Sequence, residues 1–155
     1  MTGVLDSECV QNKKVEQTKA KIRAAFLHLC TEKKLETITI KELTALAGIN
    51  RSTFYSHYTD IYDLHDQVLN DFTSLAYQQA VPAIARIANG DNSGENIKHL
   101  MDFYNGNATV FRAFLGENYD PQFVERMRAV VKLLMSMKVP ESKRQNPEQM
   151  EYVLE

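Results

Sequence analysis

The chain has 155 residues, 44% of them apolar and 25% charged, which is long enough to bury a real core and ordinary for a soluble globular protein. Its net charge of −2 does not by itself announce nucleic acid, but nine Lys/Arg face six Asp/Glu up to Tyr58, and nine face fourteen beyond it. A basic front and an acidic back suit a chain with an anionic partner at one end only. Two cysteines, Cys9 and Cys30, have neither metal-ligand spacing nor the density of a disulfide framework.

The first residues, MTGVLDSECVQN, lack a charged segment followed by an apolar one, so no signal peptide is expected. No apolar run approaches a membrane span, and the cytoplasm is the expected compartment.

In chain order, residues up to about Asn12 read as a loose arm. From Val15 to about Lys34 the spacing of Ile22, Ala25, Phe26, Leu29 and Cys30 predicts a helix. Lys13, Lys14, Lys19, Lys21 and Arg23 crowd its first half, where the helix dipole disfavours cations. They are either a solvated face or a response to a nearby phosphate. Cys30 falls on the apolar side and reads as a small buried hydrophobe.

The stretch TITIKELTALAGINRSTFYSHY, ending at Tyr58, organises the chain. Thr39 and Glu42 have capping-box spacing. Leu43, Leu46 and Ala47 give the following short helix one apolar face. Gly48 sits where a left-handed backbone is cheap only for glycine. Asn50 can cap a second helix. Phe54 and Tyr58 share one side of that helix and read as core. Arg51, Ser52, Tyr55, Ser56 and His57 are left for something outside. Helix, glycine-containing turn, helix is the pattern that places its second helix in a DNA major groove.

Thr59 or Asp60 starts a long helix to about Gln79, with Ile61, Leu64, Val68, Leu69, Phe72, Leu75 and Ala76 as its stripe. Pro82 either kinks it or opens a short helix through Ala88. Asn89–Gly94 is a loop by composition. Helices follow over Glu95–Tyr104 and Ala108–Leu115. Asp120-Pro121 then starts another, which Pro140 stops. Asn146-Pro147-Glu148-Gln149 is one more start signal, barely two turns before Glu155. A start so near the end suggests a chain short of its last helices.

These residues carry a resemblance. From about Thr18 to Phe72 the chain resembles the TetR family of bacterial transcriptional regulators. The matching features are the first helix, TITIKELTALAGI, NRSTFYSHY, and Asp60-x-x-Asp63-Leu64. Downstream, YNGNATVFRAFLGENYDPQFVERM looks like the ligand and dimerisation region of a subgroup common in Firmicutes. The resemblance implies an all-α fold: a three-helix helix-turn-helix head over 13–59, and a long fourth helix leading into a helical regulatory body over 60–155. That body would be incomplete here, because the family's last two helices form its dimer by four-helix packing.

The resemblance also implies roles. Arg51, Ser52, Thr53, Tyr55 and His57 would lie on the recognition helix. Lys41 would reach base or phosphate from the preceding helix, and Thr39 would touch phosphate while capping it. Arg51 has the fork that guanine O6 and N7 accept, whereas Tyr55 and His57 suit phosphate better. His57 could equally make a capping interaction near Asp60. At Ile61 the family commonly has a phosphate-contacting lysine, which is missing here.

Phe72, Met101, Tyr104, Phe111, Phe114 and Met127 could line an effector pocket or form an ordinary helical core. His28, His65 and His99 have no partners at metal-ligand spacing. No nucleophile–base pair, Gly-rich phosphate loop or cofactor motif is present. The expected function is therefore a non-enzymatic transcriptional regulator. It would be a repressor that binds a palindromic DNA operator as a homodimer and is released by a small-molecule effector. The alternative is a helical protein–protein interaction module with a vestigial head.

Overall fold

The computed structural model describes residues 3–91 and 93–138. The described residues form seven α-helices and a 3-10 turn, with no strand. The helices are α1 (Gly3–Glu32), α2 (Ile40–Ala47), α3 (Arg51–Tyr55), α4 (Ile61–Ala88), α5 (Gly94–Gly106), α6 (Ala108–Leu115) and α7 (Pro121–Lys138), and the 3-10 turn is Leu35–Thr37. The all-α expectation holds. None of the described helices is long and apolar enough to cross a membrane. The start signal at Asn146-Pro147 lies outside the described residues.

Two elements run further than the sequence pattern predicts. The segment read as a loose arm is helical from Gly3, in one piece with α1. No proline or glycine interrupts residues 4–32, so nothing in the backbone stops the helix even without an apolar stripe at its start. Pro82 neither ends α4 nor opens a new helix; it lies inside a 28-residue helix. A proline here removes one backbone donor, a local cost that packing of the neighbouring Ala80, Val81 and Ala83, all buried, offsets.

The described residues divide into two compact units, one of 3–72 with 107–124, the other of 73–91, 93–106 and 125–138. In the first, α1 packs against α2 and α6, and α2 against α3. Ile22, Phe26, Leu43, Phe54 and Leu64 are wholly shielded from solvent. A second part of this core is aromatic. The Phe72 ring lies 5.3 Å from those of Phe111 and Phe123, and Phe114 lies 5.3 Å from Phe123. Arg23 forms an ion pair with Asp71, so one of the cations crowding α1 serves the fold.

Helix starts in this unit are chemically specified. Asp60 caps α4, its Oδ1 accepting from the Asp63 amide at 2.8 Å. Asp63 Oδ2 in turn accepts from the Thr59 amide at 2.7 Å. Ahead of α7, Asp120 Oδ1 accepts from the Gln122 and Phe123 amides at 2.7 and 3.3 Å, with Pro121 at the first helical position.

The second unit has its own small core, Val81 and Val130 flanked by Ile84, Ala85 and Met127. Asn96 is buried, and its Nδ2 donates to Asp91 O and Ser93 Oγ at 3.2 and 3.0 Å, which ties the loop before α5 to that helix.

Candidate nucleic-acid interface

The geometry of α2 follows from its two ends. At the start, Thr39 Oγ1 accepts from the Glu42 amide at 3.3 Å, while Glu42 Oε2 accepts from the Thr39 amide at 3.2 Å and from its hydroxyl at 2.7 Å. The capping box expected from the spacing is complete. Lys33 Nζ, just past α1, donates to Glu42 Oε1 at 2.7 Å. These contacts, Lys33 first and then the Thr39 hydroxyl and amide, hold the Glu42 carboxyl well down, at about 2. The Lys33 link joins residues nine apart on different elements, and the sequence pattern gave no signal for it.

At the other end, Gly48 has φ 65° and ψ 40°. The Gly48 amide donates to Ala45 O at 3.3 Å and the Ile49 amide to Thr44 O at 3.0 Å. This pair of bonds is the Schellman closure, and it satisfies carbonyls that the end of α2 would otherwise leave open. A side chain at Gly48 would meet no neighbouring atom within 4 Å, so glycine is required there by the backbone and not by crowding.

The turn delivers the chain directly into α3. The Asn50 carbonyl accepts from the Phe54 amide at 3.2 Å, but its side chain makes no capping bond, contrary to expectation. Extended backbone at Asn50 is enough to launch the helix, whose regular part is five residues. Ser56 donates its amide to Ser52 O and Tyr58 to Phe54 O, both at 3.0 Å, and so carry the spiral on to Tyr58.

Burial separates the two sides of this spiral. Phe54 and Tyr58, four apart, are buried with their rings 5.6 Å from each other. They pin α3, as their spacing predicts. Arg51, Ser52 and Tyr55 are exposed, and Thr53 and His57 are half-buried. Tyr55 is 57% exposed, although its ring touches the edge of Phe54. His57 makes no hydrogen bond with Asp60 among the described residues; Asp60 is occupied in capping α4. On α2, Thr39 and Lys41 are exposed.

The helix-turn-helix residues named from the sequence thus lie on consecutive elements, with short polar, aromatic and cationic side chains outward and the aromatic pair inward. Such a face can donate to phosphate oxygens through Lys41, Tyr55 and His57 and offers one guanidinium to a base edge. Ile61 is 7% exposed and belongs to the core. It presents no charge in place of the lysine that the resemblance led one to expect.

The six residues named for an effector pocket have different settings. Phe72, Phe111 and Phe114 belong to the aromatic core of the first unit. In the second unit, Met127 packs on the Val81 and Val130 core, while Met101 and Tyr104 are about half exposed, at 51% and 50%. His65 is buried, and its Nε2 bonds to Asp120 Oδ2. The two residues are 55 apart in sequence, so local spacing could not reveal the pair.

No protein-family model matches the chain. It is 29% identical over 119 residues to an uncharacterized HTH-type transcriptional regulator of Haemophilus influenzae, a match that covers 76% of this chain and 56% of that protein. The chain thus spans little more than half the length of this curated relative. Its fold is similar to the crystal structure of a TetR transcriptional regulator from Streptococcus agalactiae, with a TM-score of 0.64 and 25% identity, covering 95% of this chain and 81% of the other.

Proposed function

We propose that this chain, a member of the TetR family of transcriptional regulators, binds double-stranded DNA through α2 and α3 and acts as a repressor. In this reading residues 13–59 are the DNA-binding domain and 60–155 belong to the regulatory domain. One observation carries it. Phe54 and Tyr58 are locked inward while Arg51, Ser52 and Tyr55 of the same short spiral are left exposed. A helix pinned on one side with an outward guanidinium and phenol is built to enter a major groove.

The roles divide by chemistry. Arg51 reads a base, with guanine the best match to its fork. Thr39, Lys41, Tyr55 and His57 hold the backbone, and Ser52 and Thr53 contribute short-range hydrogen bonds. A homodimer would set two such helices against the halves of a palindromic operator. A small-molecule effector would favour a conformation in which the two heads no longer match the DNA.

The test is a fluorescence-anisotropy titration of the chain against the promoter beside its gene, at two salt concentrations, with unrelated DNA as a control. Specific binding that weakens steeply with salt is the expected result, because phosphate contacts release counterions. Equal affinity for both DNAs with no salt dependence would reject the reading. It would favour instead a protein–protein interaction module, to which the buried, uncharged Ile61 also lends itself.

A further inference from the structure

A cavity of about 600 Å³ opens within the first unit, inside the roughly 300–1,000 Å³ range of small-molecule sites. It is walled by the residues that follow α1, by the first two turns of α4, and by the stretch from the end of α6 to the start of α7. Of the residues named for an effector pocket from the sequence, Phe114 alone is in its lining.

The buried part of that lining is Cys30, His65, Ala113 and Phe114. Phe114 and Ala113 are almost wholly shielded, and the Phe114 ring meets His65 edge-on with centroids 5.7 Å apart. His65 is held by Asp120, and Asp120 is further engaged by the Gln122 and Phe123 amides. That carboxylate is already satisfied by the protein.

The accessible part has a different character. Two phenol rings, Tyr62 and Tyr119, are 54% and 62% exposed. Three carboxylates accompany them, on Glu36, Asp66 and Glu117, all exposed. Against these stand Lys33 and Lys34. Lys33 is spent on Glu42, which does not line the cavity. Three carboxylates therefore accompany one uncommitted ammonium and two phenol rings, and one of the three, Asp66, also has its Oδ1 3.5 Å from His65 Nδ1. An anion would be repelled by that balance, and a neutral ligand would leave the carboxylates unused. A cation gains from both the charge and the ring quadrupoles.

We propose that this cavity binds an organic cation, an ammonium group borne on an apolar body. The ammonium lies by Tyr62 and Tyr119 with Asp66 as its countercharge, and the apolar body rests on Phe114. The site touches the chain just past α1 and the first turns of α4, on either side of the helix-turn-helix in sequence. A cation bound more tightly in one arrangement of those segments would shift the head toward it. Its role as the effector rests on the regulator reading above; the binding itself does not.

The experiment is a calorimetric titration of the chain with benzyltrimethylammonium, benzyl alcohol and benzoate, as cationic, neutral and anionic probes of similar ring size. The cation is expected to bind about tenfold or more tightly than the other two. Asp66→Asn and Tyr62→Leu should each weaken it by about tenfold, while Tyr62→Phe retains it. Circular dichroism melts establish that each variant is folded. Should Asp66→Asn fail to fold, Glu36→Gln combined with Glu117→Gln takes its place, since both side chains are exposed. Equal affinity for the three probes, or cation binding indifferent to these substitutions, overturns the proposal. Cation binding by a chain that shows no DNA binding at all would support the site and reject the regulator reading separately.

Discussion

Lys33 Nζ donates to Glu42 Oε1 at 2.7 Å, so the residue just past the first helix is bonded to the one that completes the capping box of the second. The contact orients α2 through the same carboxylate that stabilises its first turn. Glu42 sits at about 2 against an ordinary 4.5, so the folded head binds this proton more weakly than the unfolded chain does. Its contribution is complete above about pH 4.5 and is lost as pH falls toward 2. Glu42→Gln should lower stability at neutral pH and flatten the acid limb of a denaturation series over that window. An unchanged acid limb would show that the capping box does not depend on the charge.

Gly48→Ala isolates the backbone term. With φ 65° and no atom within 4 Å of an added Cβ, strain in the left-handed conformation is the whole effect, about 1 kcal/mol. Thermal melts should show that loss without altered helix content. A neutral or stabilising result would mean that the turn relaxes to another conformation.

Arg51→Ala separates reading from holding. The side chain is exposed, so the melting temperature should not move. Discrimination at one base position of the operator should fall by about 1–3 kcal/mol. Lys41→Ala should instead weaken binding to all sequences and reduce the salt slope by about one. Competition titrations with single-base operator variants distinguish the two. Identical profiles for both variants would refute the division of roles.

Phe123 is wholly shielded, and its ring lies against both Phe72 and Phe114. Phe123→Ala should cost about 3–5 kcal/mol in chemical denaturation. Met101→Ala, at a side chain 51% exposed, should stay within about 0.5 kcal/mol. A small loss at Phe123 would mean that the aromatic cluster is loosely packed and can make room for a ligand.

The Cys30 thiol is pushed up to about 12, by burial first and by the nearby Asp120 charge second. The unfolded thiol ionises near 9 and the folded one does not, so this group's stability is full below 9 and drains as pH rises toward 12. Cys30→Ala should remove that part of the alkaline destabilisation. A mercury- or disulfide-based thiol probe should react with Cys30 of a Cys9→Ser chain at neutral pH far more slowly when folded than in denaturant.

Local chemistry made the helix-turn-helix readable. The capping pair Thr39 and Glu42, the glycine at Gly48, and Phe54 with Tyr58 all act within a few residues of one another, and each has a strong positional preference. The start of α1 carries no such signal. The segment before Val15 has no apolar periodicity, yet no breaker stops it from being helical. Pro82 allowed two readings, a kink or a new helix start, and the structure excludes the second, since α4 runs through it. Pairs far apart in sequence were invisible altogether. Lys33 with Glu42, Arg23 with Asp71 and His65 with Asp120 depend on tertiary approach, which periodicity does not encode. The cavity beside His65 follows the same logic, since its walls come from three separated segments.

The burial of Ile61 limits where this head can carry charge. Its side chain is 7% exposed in the first turn of α4, so this position faces the interior and not a phosphate. A lysine in its place would put an ammonium in a buried apolar position, which costs free energy unless the charge is paired. A designed increase in positive charge on this head therefore belongs at exposed positions such as Asn50 or Ser52, not at the start of α4.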